Sequence, residues 1–282
     1  MNKNISLLFT VVLVFGLLAG CSGIVYDKSD GDLSIVSQIE KQDTLNAFNE
    51  INLDVHYTDV TVKAGEKYGL EYISKEGYDY NVKDGALQVS TKDAGIKAYN
   101  FYAGGNDTLT ITLPEGVPLN NIKIQSQGDV LLNGISIDNL DMTGSYNSVK
   151  LNEVSTKNAV FHMNNTNISV SDSTINDCFV ENRYGSYICN DVVFEGLQAD
   201  IQNCEVKIVG DLNGITKIEG SYSDVDITAN AQRSAYSYLL QSSHGDIIMN
   251  GEKTSGSIEN RNNTDNTLEI NISTGNIIIN FA

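Results

Sequence analysis

Gly128-Asp-Val-Leu-Leu132 is the first of six segments that share one shape and decide the fold. Each is a turn residue followed by four positions of which the second and fourth are apolar, and the others are Asn147-Ser-Val-Lys-Leu151, Thr166-Asn-Ile-Ser-Val170, Gly185-Ser-Tyr-Ile-Cys189, Cys204-Glu-Val-Lys-Ile208 and Ser223-Asp-Val-Asp-Ile227. Their turn residues are each nineteen positions apart. Similar copies lie at Thr58-Asp-Val-Thr-Val62, Gly85-Ala-Leu-Gln-Val89, Gly245-Asp-Ile-Ile-Met249 and Gly275-Asn-Ile-Ile-Ile279. A fixed period of this length is typical of a repeat architecture.

The alternation predicts strands with one buried face, because successive side chains along a strand point to opposite sides. We expect two inward rows, of which the first is Val130, Val149, Ile168, Tyr187, Val206, Val225, Ile247 and Ile277. The second row is Leu132, Leu151, Val170, Cys189, Ile208, Ile227, Met249 and Ile279. A further strand precedes each turn, with the inward pairs Leu140/Met142, Ala159/Phe161, Cys178/Val180, Leu197/Ala199 and Thr216/Ile218.

One such coil cannot bury its own apolar face, whereas coils stacked at the ~4.8 Å strand spacing build a continuous interior. The sequence therefore predicts an all-β fold, a parallel β-helix (β-solenoid) with about 19 residues per rung over residues 47–282. A β-sandwich is the alternative, but it does not explain a spacing that recurs five times in succession. Wider spacing after residues 223 and 245 predicts loops around 230–236 and 252–265.

The amino-terminal segment has the features of an export signal. Lys3 precedes fourteen largely apolar residues at 5–18, which as a helix at ~1.5 Å per residue fall short of a ~30 Å hydrocarbon core. Leu18-Ala19-Gly20-Cys21 then resembles the lipobox of bacterial lipoproteins, which implies cleavage before Cys21 and acylation of its sulfur. An ordinary secretory signal is the alternative.

The export signal and the lipobox-like segment determine the domains and the location that we expect. We expect a signal peptide at 1–20, a lipidated Cys21 with a tether over 21–46, and anchoring on the extracytoplasmic side of a bacterial cell membrane. The second half of the tether has an alternative interpretation, as an irregular cap that packs on the folded domain.

Several segments carry a resemblance to a known family. They are Phe48-Asn-Glu-Ile-Asn-Leu-Asp-Val55, Asp59-Val-Thr-Val62, Asp84-Gly-Ala-Leu-Gln-Val89, Leu109-Thr-Ile-Thr-Leu-Pro-Glu-Gly116 and the following Gly-Asp-Val rungs. Together they resemble the DUF4097 "putative adhesin" β-strand-repeat family over most of residues 48–282. The resemblance implies an extracytoplasmic β-solenoid with a role in surface adhesion. It supplies no functional residue, because the family motif covers core and turn positions only.

Charge restricts the partners. The chain has 18 Lys and Arg against 36 Asp and Glu, a formal net charge of −18, and loss of Lys3 with the signal leaves 17 − 36 = −19. Such a surface repels phosphate backbones, so nucleic acid is not expected as a partner. The expected partners are the membrane, through the lipid anchor, and a surface glycan or a protein.

The outward carboxylates give no catalytic site. Those beside the turns are Asp129, Glu205, Asp224, Asp226 and Asp246, and neutral residues stand at the equivalent positions of the intervening rungs, as on a solvated face. Glycoside hydrolysis instead needs two convergent carboxylates. We therefore expect no enzyme and assign no catalytic residue. A polysaccharide-active enzyme and a structural envelope protein without a specific ligand are the alternatives.

The histidines and cysteines predict neither a metal site nor a cofactor. His56, His162 and His244 share no ligand spacing. Cys178 and Cys189 occupy inward positions and Cys204 occupies a turn. We expect unpaired buried thiols, with a disulfide as the alternative, since sequence register alone does not fix the distance between sulfurs.

The residue before each turn position alternates by rung between tyrosine and asparagine. These residues, which we call the tyrosine edge, are Tyr146, Asn165, Tyr184, Asn203 and Tyr222. In a β-solenoid the tyrosines would lie ~9.6 Å apart, twice the strand spacing. Aromatic rings with amides between them can stack on sugar rings or peptides, so this edge is the candidate ligand-facing surface. Packing at the turns without a ligand is the alternative, and the absence of Trp favours it.

Overall fold

The computed structural model describes residues 38–92 and 107–282, together with the two short strands at 23–26 and 33–36. The predicted signal peptide and the predicted lipidation site, Cys21, lie outside the described residues. No helix among the described residues has both the length and the apolar character that crossing a membrane requires.

The described residues form 21 strands and one 3₁₀ turn at Arg233–Ala235. The strands are β1 (Gly23–Tyr26), β2 (Leu33–Val36), β3 (Ile39–Thr44), β4 (Glu50–Val55), β5 (Thr58–Gly65), β6 (Gly69–Ser74), β7 (Tyr78–Lys83), β8 (Ala86–Thr91), β9 (Asp107–Pro114), β10 (Leu119–Ser126), β11 (Val130–Asn133), β12 (Ser136–Ser145), β13 (Ser148–Asn152), β14 (Ser155–Ser171), β15 (Thr174–Leu212), β16 (Ile215–Ser221), β17 (Asp224–Ala229), β18 (Tyr236–Met249), β19 (Glu252–Asn260), β20 (Asn266–Thr274) and β21 (Ile277–Phe281).

Most of these strands belong to two parallel columns. The first column contains, in spatial order, β8, β4, β10, β12, the first half of β14, two segments of β15, then β16, β20 and the first half of β18. The second contains, in the same order, β9, β5, β11, β13, the second half of β14, the other segments of β15, then β17, β21 and the second half of β18. One strand from each column, joined by a turn, makes a rung.

The predicted nineteen-residue spacing is confirmed by the strand register. Ser136 pairs with Ser155, and Ser155 pairs with Thr174. In the second column Val149 pairs with Ile168. The chain is therefore an all-β protein built from a repeated sheet, in which equivalent residues of successive repeats lie side by side.

The core lies between the two columns, and every predicted inward residue is buried. Tyr187, Phe161 and Phe194 are among the largest fully buried side chains. Full burial of each Val, Leu or Ile contributes roughly 1.5–3 kcal/mol, most of which offsets the conformational entropy of ordering the rung. Stability therefore depends on many stacked rungs.

The spatial order of the rungs differs from the chain order at both ends. The β4–β5 rung lies between the rung of β8 and β9 and the rung of β10 and β11. The β20–β21 rung likewise lies between the β16–β17 rung and β18. The segment Gly85–Val89 has the same sequence shape as the strands after the turn, but it lies in the first column, because β8 pairs with β4. The shape alone does not distinguish the columns, since both have the same alternation.

Antiparallel strands cover both ends of the stack. The insertion at 252–265 was predicted to be a loop, but its first part forms β19, which pairs with both halves of β18. Without β19, the outer edge of β18 would expose a row of unpaired backbone groups. At the other end β6 pairs with β9, and β7 pairs with β8. β3, within the predicted tether, pairs with β6.

Candidate functional site

The residues of the tyrosine edge all adopt the left-handed backbone conformation. Their φ angles are Tyr146 57°, Asn165 53°, Tyr184 62°, Asn203 53° and Tyr222 51°. Asparagine tolerates this conformation because its short side chain can hydrogen-bond locally. Tyrosine has no such compensation, so the three tyrosines occupy a conformation that their side chains disfavour.

The opposite turn of the same rungs provides a comparison. Its left-handed residues, again nineteen apart, are Gly134, Glu153, Asp172 and Asp191, with φ of 65°, 53°, 50° and 52°. Three of these four are residue types that commonly adopt the conformation. The fold therefore requires a left-handed residue at both turns, and tyrosine is used for it at only one of them.

Burial does not compensate for this conformation. Tyr146 is 77% exposed, Tyr184 52% and Tyr222 66%. The described residues include eight large hydrophobic side chains that are exposed, and three of these are the tyrosines of the edge. A large aromatic ring that is both strained and exposed stabilises the fold little, so its presence indicates a role outside the fold.

Tyr57 extends the tyrosine edge, although the sequence pattern did not predict it. It is 57% exposed, with φ of 49°. Its rung contacts the β10–β11 rung, which in turn contacts the rung of Tyr146, so Tyr57 also lies two rungs from its neighbour. The sequence does place Tyr57 directly before the turn residue Thr58. Its rung, however, is not next to the β10–β11 rung in chain order, so the sequence does not show that Tyr57 belongs to the same row.

The turns behind the tyrosine edge are held by a buried polar ladder. Thr166 Oγ1 donates to Asn147 Oδ1 at 2.7 Å, and Asn147 Nδ2 donates to the Gly128 carbonyl at 3.1 Å. Asn182 Nδ2 donates to the Thr166 carbonyl at 2.9 Å, and Cys204 Sγ lies 3.3 Å from the Asn182 carbonyl. These bonds join successive rungs, so the tyrosines project from a rigid support.

A polar groove of about 330 Å³ lies beside the tyrosine edge. We define the polar groove by six of the residues that line it, which are Glu181, Arg183, Asp200, Gln202, Gly220 and Ser221. Arg183, Gln202 and Ser221 directly precede Tyr184, Asn203 and Tyr222 in the sequence. The groove and this part of the edge are therefore one continuous surface, of the size of a small-ligand site.

Two of the three charged residues of the polar groove contact each other. Glu181 Oε1 lies 3.6 Å from Arg183 Nη2, and Glu181 Oε2 lies 3.2 Å from Nδ1 of His162 on the preceding rung. These side chains are between 38% and 62% exposed. The sequence pattern did not predict the groove, because neither Glu181 nor Asp200 lies beside the repeated turn position.

Three of the five carboxylates predicted to lie beside the turns have structural contacts. An oxygen of Asp129 accepts the backbone N–H of Ser148 at 2.8 Å, and one of Asp224 accepts that of Asn276 at 2.7 Å. Asp246 pairs with Lys253 at 2.7 Å. Asp129 and Asp224 thus join neighbouring rungs. In the described part of the chain, no group of three or more His, Cys, Asp and Glu is arranged to hold a metal ion.

The three described cysteines are free and buried. Cys178 Sγ lies 3.6 Å from the hydroxyl of Tyr187, which is itself fully buried. Desolvation raises the pKa of Cys178 to about 12 and raises the pKa of Cys189 as well. The expected unpaired thiols are thus seen for Cys178, Cys189 and Cys204, and none of them is a reactive thiolate at neutral pH.

We expect the native chain to resist thiol alkylation and to lose stability in alkali. Burial raises the pKa of the Cys178 thiol from its ordinary value of 9.0, which we expect in the unfolded chain, to about 12 in the folded one. The unfolded state therefore binds fewer protons between these values, so the free energy of unfolding falls as the pH rises from 9 towards 12. Iodoacetamide labelling read by mass spectrometry, and urea unfolding at each pH, measure the two effects.

Cys178→Ala is the control for this prediction. It should make the alkaline loss of stability shallower, because one buried proton-holding group is removed. Rapid labelling of Cys178 or Cys189 in the native chain at about pH 8, or a urea midpoint that does not change up to about pH 12, would contradict the prediction.

These features define the class of protein. The chain is an all-β repeat protein with an exposed, regularly spaced aromatic edge and an adjoining polar groove. It belongs to the Toastrack DUF4097 family, whose model matches residues 48–280.

Several solved structures are similar to this chain. A "putative adhesin" from Bacteroides fragilis is 17% identical over 86% of this chain and 97% of that chain, with a TM-score of 0.45. One from Parabacteroides merdae is 12% identical over 87% and 96%, with a TM-score of 0.46. A "putative cell adhesion protein" from Clostridium sporogenes is 16% identical over 87% and 100%, with a TM-score of 0.32. No curated protein matches the chain in sequence.

Proposed function

We propose that this chain is a lipid-anchored, extracytoplasmic β-solenoid that acts as a non-catalytic adhesion or interaction module of the cell envelope. The tyrosine edge is its contact surface. The observation that carries the proposal is the combination of left-handed backbone and high exposure at Tyr146, Tyr184 and Tyr222. Such strain persists where the surrounding structure imposes it and a function uses it.

The proposed location rests on the sequence. The apolar run at 5–18 followed by Cys21 supports export and lipidation. Two or three acyl chains at ~0.8 kcal/mol per buried methylene hold a protein durably on a membrane. The parallel register at nineteen-residue intervals supports the β-solenoid, because each repeat then adds one rung to a rod that projects from the anchor.

A polysaccharide-active enzyme is the second candidate, and one observation favours it. Glu181 and Asp200 lie in the same polar groove, one repeat apart. A glycosidase, however, keeps its general acid protonated by burying it in an apolar environment. Glu181 is partly exposed and contacts Arg183, so its surroundings are suited to hydrogen bonding with a ligand rather than to acid catalysis.

Retention of cells on coated glass tests the adhesion proposal. Cells displaying the full chain are passed over glass coated with mucin, coated with isolated bacterial cell wall, or left bare. We expect retention on at least one surface to exceed that of cells without the protein about tenfold, as several weak contacts combine. The triple variant Tyr146→Asn/Tyr184→Asn/Tyr222→Asn should remove this excess.

The matched control is Asp172→Asn with Asp191→Asn, which alters left-handed residues on the opposite turn and should leave retention unchanged. Equal retention of cells with and without the chain on all three surfaces would contradict the proposal. Equal retention of wild-type and triple-variant cells would show that adhesion does not use the tyrosine edge.

A further inference from the structure

The spacing of the tyrosine edge points to the class of its ligand, an inference that rests on the proposed function. Tyr146, Tyr184 and Tyr222 lie on every second rung, so neighbouring tyrosines are ~9.6 Å apart. Tyr57 continues the row at the same interval. A ligand that contacts all of them must present an equivalent face at the same regular distance.

We propose that the tyrosine edge and the polar groove together bind a neutral, β-1,4-linked polysaccharide that runs along the stack. In an extended β-1,4-linked chain each sugar is turned over relative to the one before. Alternate rings therefore present the same face, one disaccharide apart, and a disaccharide is about as long as two rungs. Successive tyrosines along the edge would therefore stack on alternate sugars of the chain, one sugar per tyrosine.

The residues between the tyrosines complete the recognition of sugar hydroxyls. Asn165 and Asn203 place an amide, with both donors and acceptors, between successive tyrosines. Beside Tyr184 and Tyr222, the polar groove adds the guanidinium of Arg183, the amide of Gln202 and the carboxylate of Asp200. Hydroxyl groups can donate to the carboxylates and accept from Arg183, so a sugar chain satisfies both kinds of group.

Charge restricts the polysaccharide to a neutral one. The chain has a formal net charge of −18, and Glu181 and Asp200 line the groove itself. An anionic glycan would be repelled by this surface as nucleic acid is. Polymers of glucose or N-acetylglucosamine have no such penalty.

A proline-rich peptide has a similar repeat, since a polyproline II helix advances about 9.3 Å per turn. Such ligands insert their rings into apolar slots between aromatic side chains. Here Asn165 and Asn203 stand between Tyr146, Tyr184 and Tyr222, and the adjoining groove is lined by charged and polar groups. Covering these groups with an apolar peptide would leave them without hydrogen-bond partners.

The test is calorimetric titration of the full chain in detergent with cello- and chito-oligosaccharides of two to eight sugars. Because successive tyrosines contact alternate sugars, each further tyrosine is reached only when the chain is two sugars longer. Affinity should therefore rise in steps at three, five and seven sugars, by about three- to tenfold per step. Malto-oligosaccharides, whose α-linkage winds the chain, should show no steps. The oligosaccharides should be recovered at their original length.

Variants locate the site and separate it from the general adhesion proposal. Tyr184→Asn should abolish the step at five sugars, because the neighbouring tyrosines that remain are only the pair Tyr57 and Tyr146. Tyr184→Phe should retain this step, and Asp191→Asn on the opposite turn should have no effect. Gln202→Ala should weaken binding of the pentasaccharide about threefold by removing one hydrogen-bonding group.

Three outcomes would overturn the inference. If no oligosaccharide binds while cell retention still depends on the tyrosines, the ligand class is wrong and the adhesion proposal stands. If a proline-rich peptide of twelve residues binds at the tyrosines and the sugars do not, the ligand is a peptide. If the sugars are recovered shortened, the groove is catalytic.

Discussion

Replacing Gly185 with alanine should destabilise the chain by at least about 3 kcal/mol, because the rungs leave no space for a side chain at this turn. A Cβ atom on Gly185 would lie 2.1 Å from the carbonyl oxygen of Thr166 on the adjacent rung. Its φ of 146° is also one that residues with a side chain rarely adopt. The rungs would have to separate, and the hydrogen bonds between them would weaken along the whole turn.

Urea unfolding followed by far-ultraviolet circular dichroism measures the effect of Gly185→Ala. Gly65→Ala is the matched control, since a Cβ there would make ordinary contact with Thr112 at 3.5 Å. We expect this control to remain within about 0.5 kcal/mol of the wild type. A free energy of unfolding for Gly185→Ala that matches the Gly65→Ala value would show that the turn can rearrange, and would contradict the close packing of adjacent rungs.

The triple variant Tyr146→Asn/Tyr184→Asn/Tyr222→Asn should be more stable than the wild type, by up to about 3 kcal/mol in total. Each exchange puts a residue that tolerates the left-handed conformation where a tyrosine now stands, as Asn165 and Asn203 already do on the alternate rungs. Relief of this strain is worth up to about 1 kcal/mol per site. The little surface that the tyrosines bury offsets part of it.

The reciprocal exchange Asn165→Tyr is the control and should destabilise the chain by a similar amount per site. Thermal and urea unfolding of both variants provide the comparison. A triple variant less stable than the wild type would mean that the tyrosines contribute to packing, and the inferred binding role would lose its main support. A gain in stability together with loss of cell retention would show that the tyrosines lower the stability of the fold and are needed for contact with the coated surface.

The sequence predicts the interior of each rung well, because burial imposes strict alternation. Val149 and Ile168 lie in the predicted inward row, and even Tyr187 and Cys189 are fully buried at positions that the period alone assigns. The candidate edge was also found by periodicity, since residues nineteen apart share one turn. Both predictions depend only on local register.

What the sequence did not predict depends on which rungs are neighbours. Tyr57 belongs to the row because its rung lies next to the β10–β11 rung, and no local pattern specifies that order. The polar sequence of β19 predicts a loop, yet this strand covers the open edge of β18. The polar groove combines residues of three repeats, so it is visible only when the rungs are stacked.

The placement of the β20–β21 rung has a consequence for the route by which the chain reaches its native state. The β18 segment is synthesised earlier, but its native neighbour is the later β20–β21 rung, which separates it from β16 and β17. Strictly vectorial assembly, one rung after another from the amino terminus, therefore cannot finish this end. The last rungs can form only after β21, which ends at Phe281, has been synthesised. Until then the edges of β16 and β17 are unpaired and need protection from neighbouring chains.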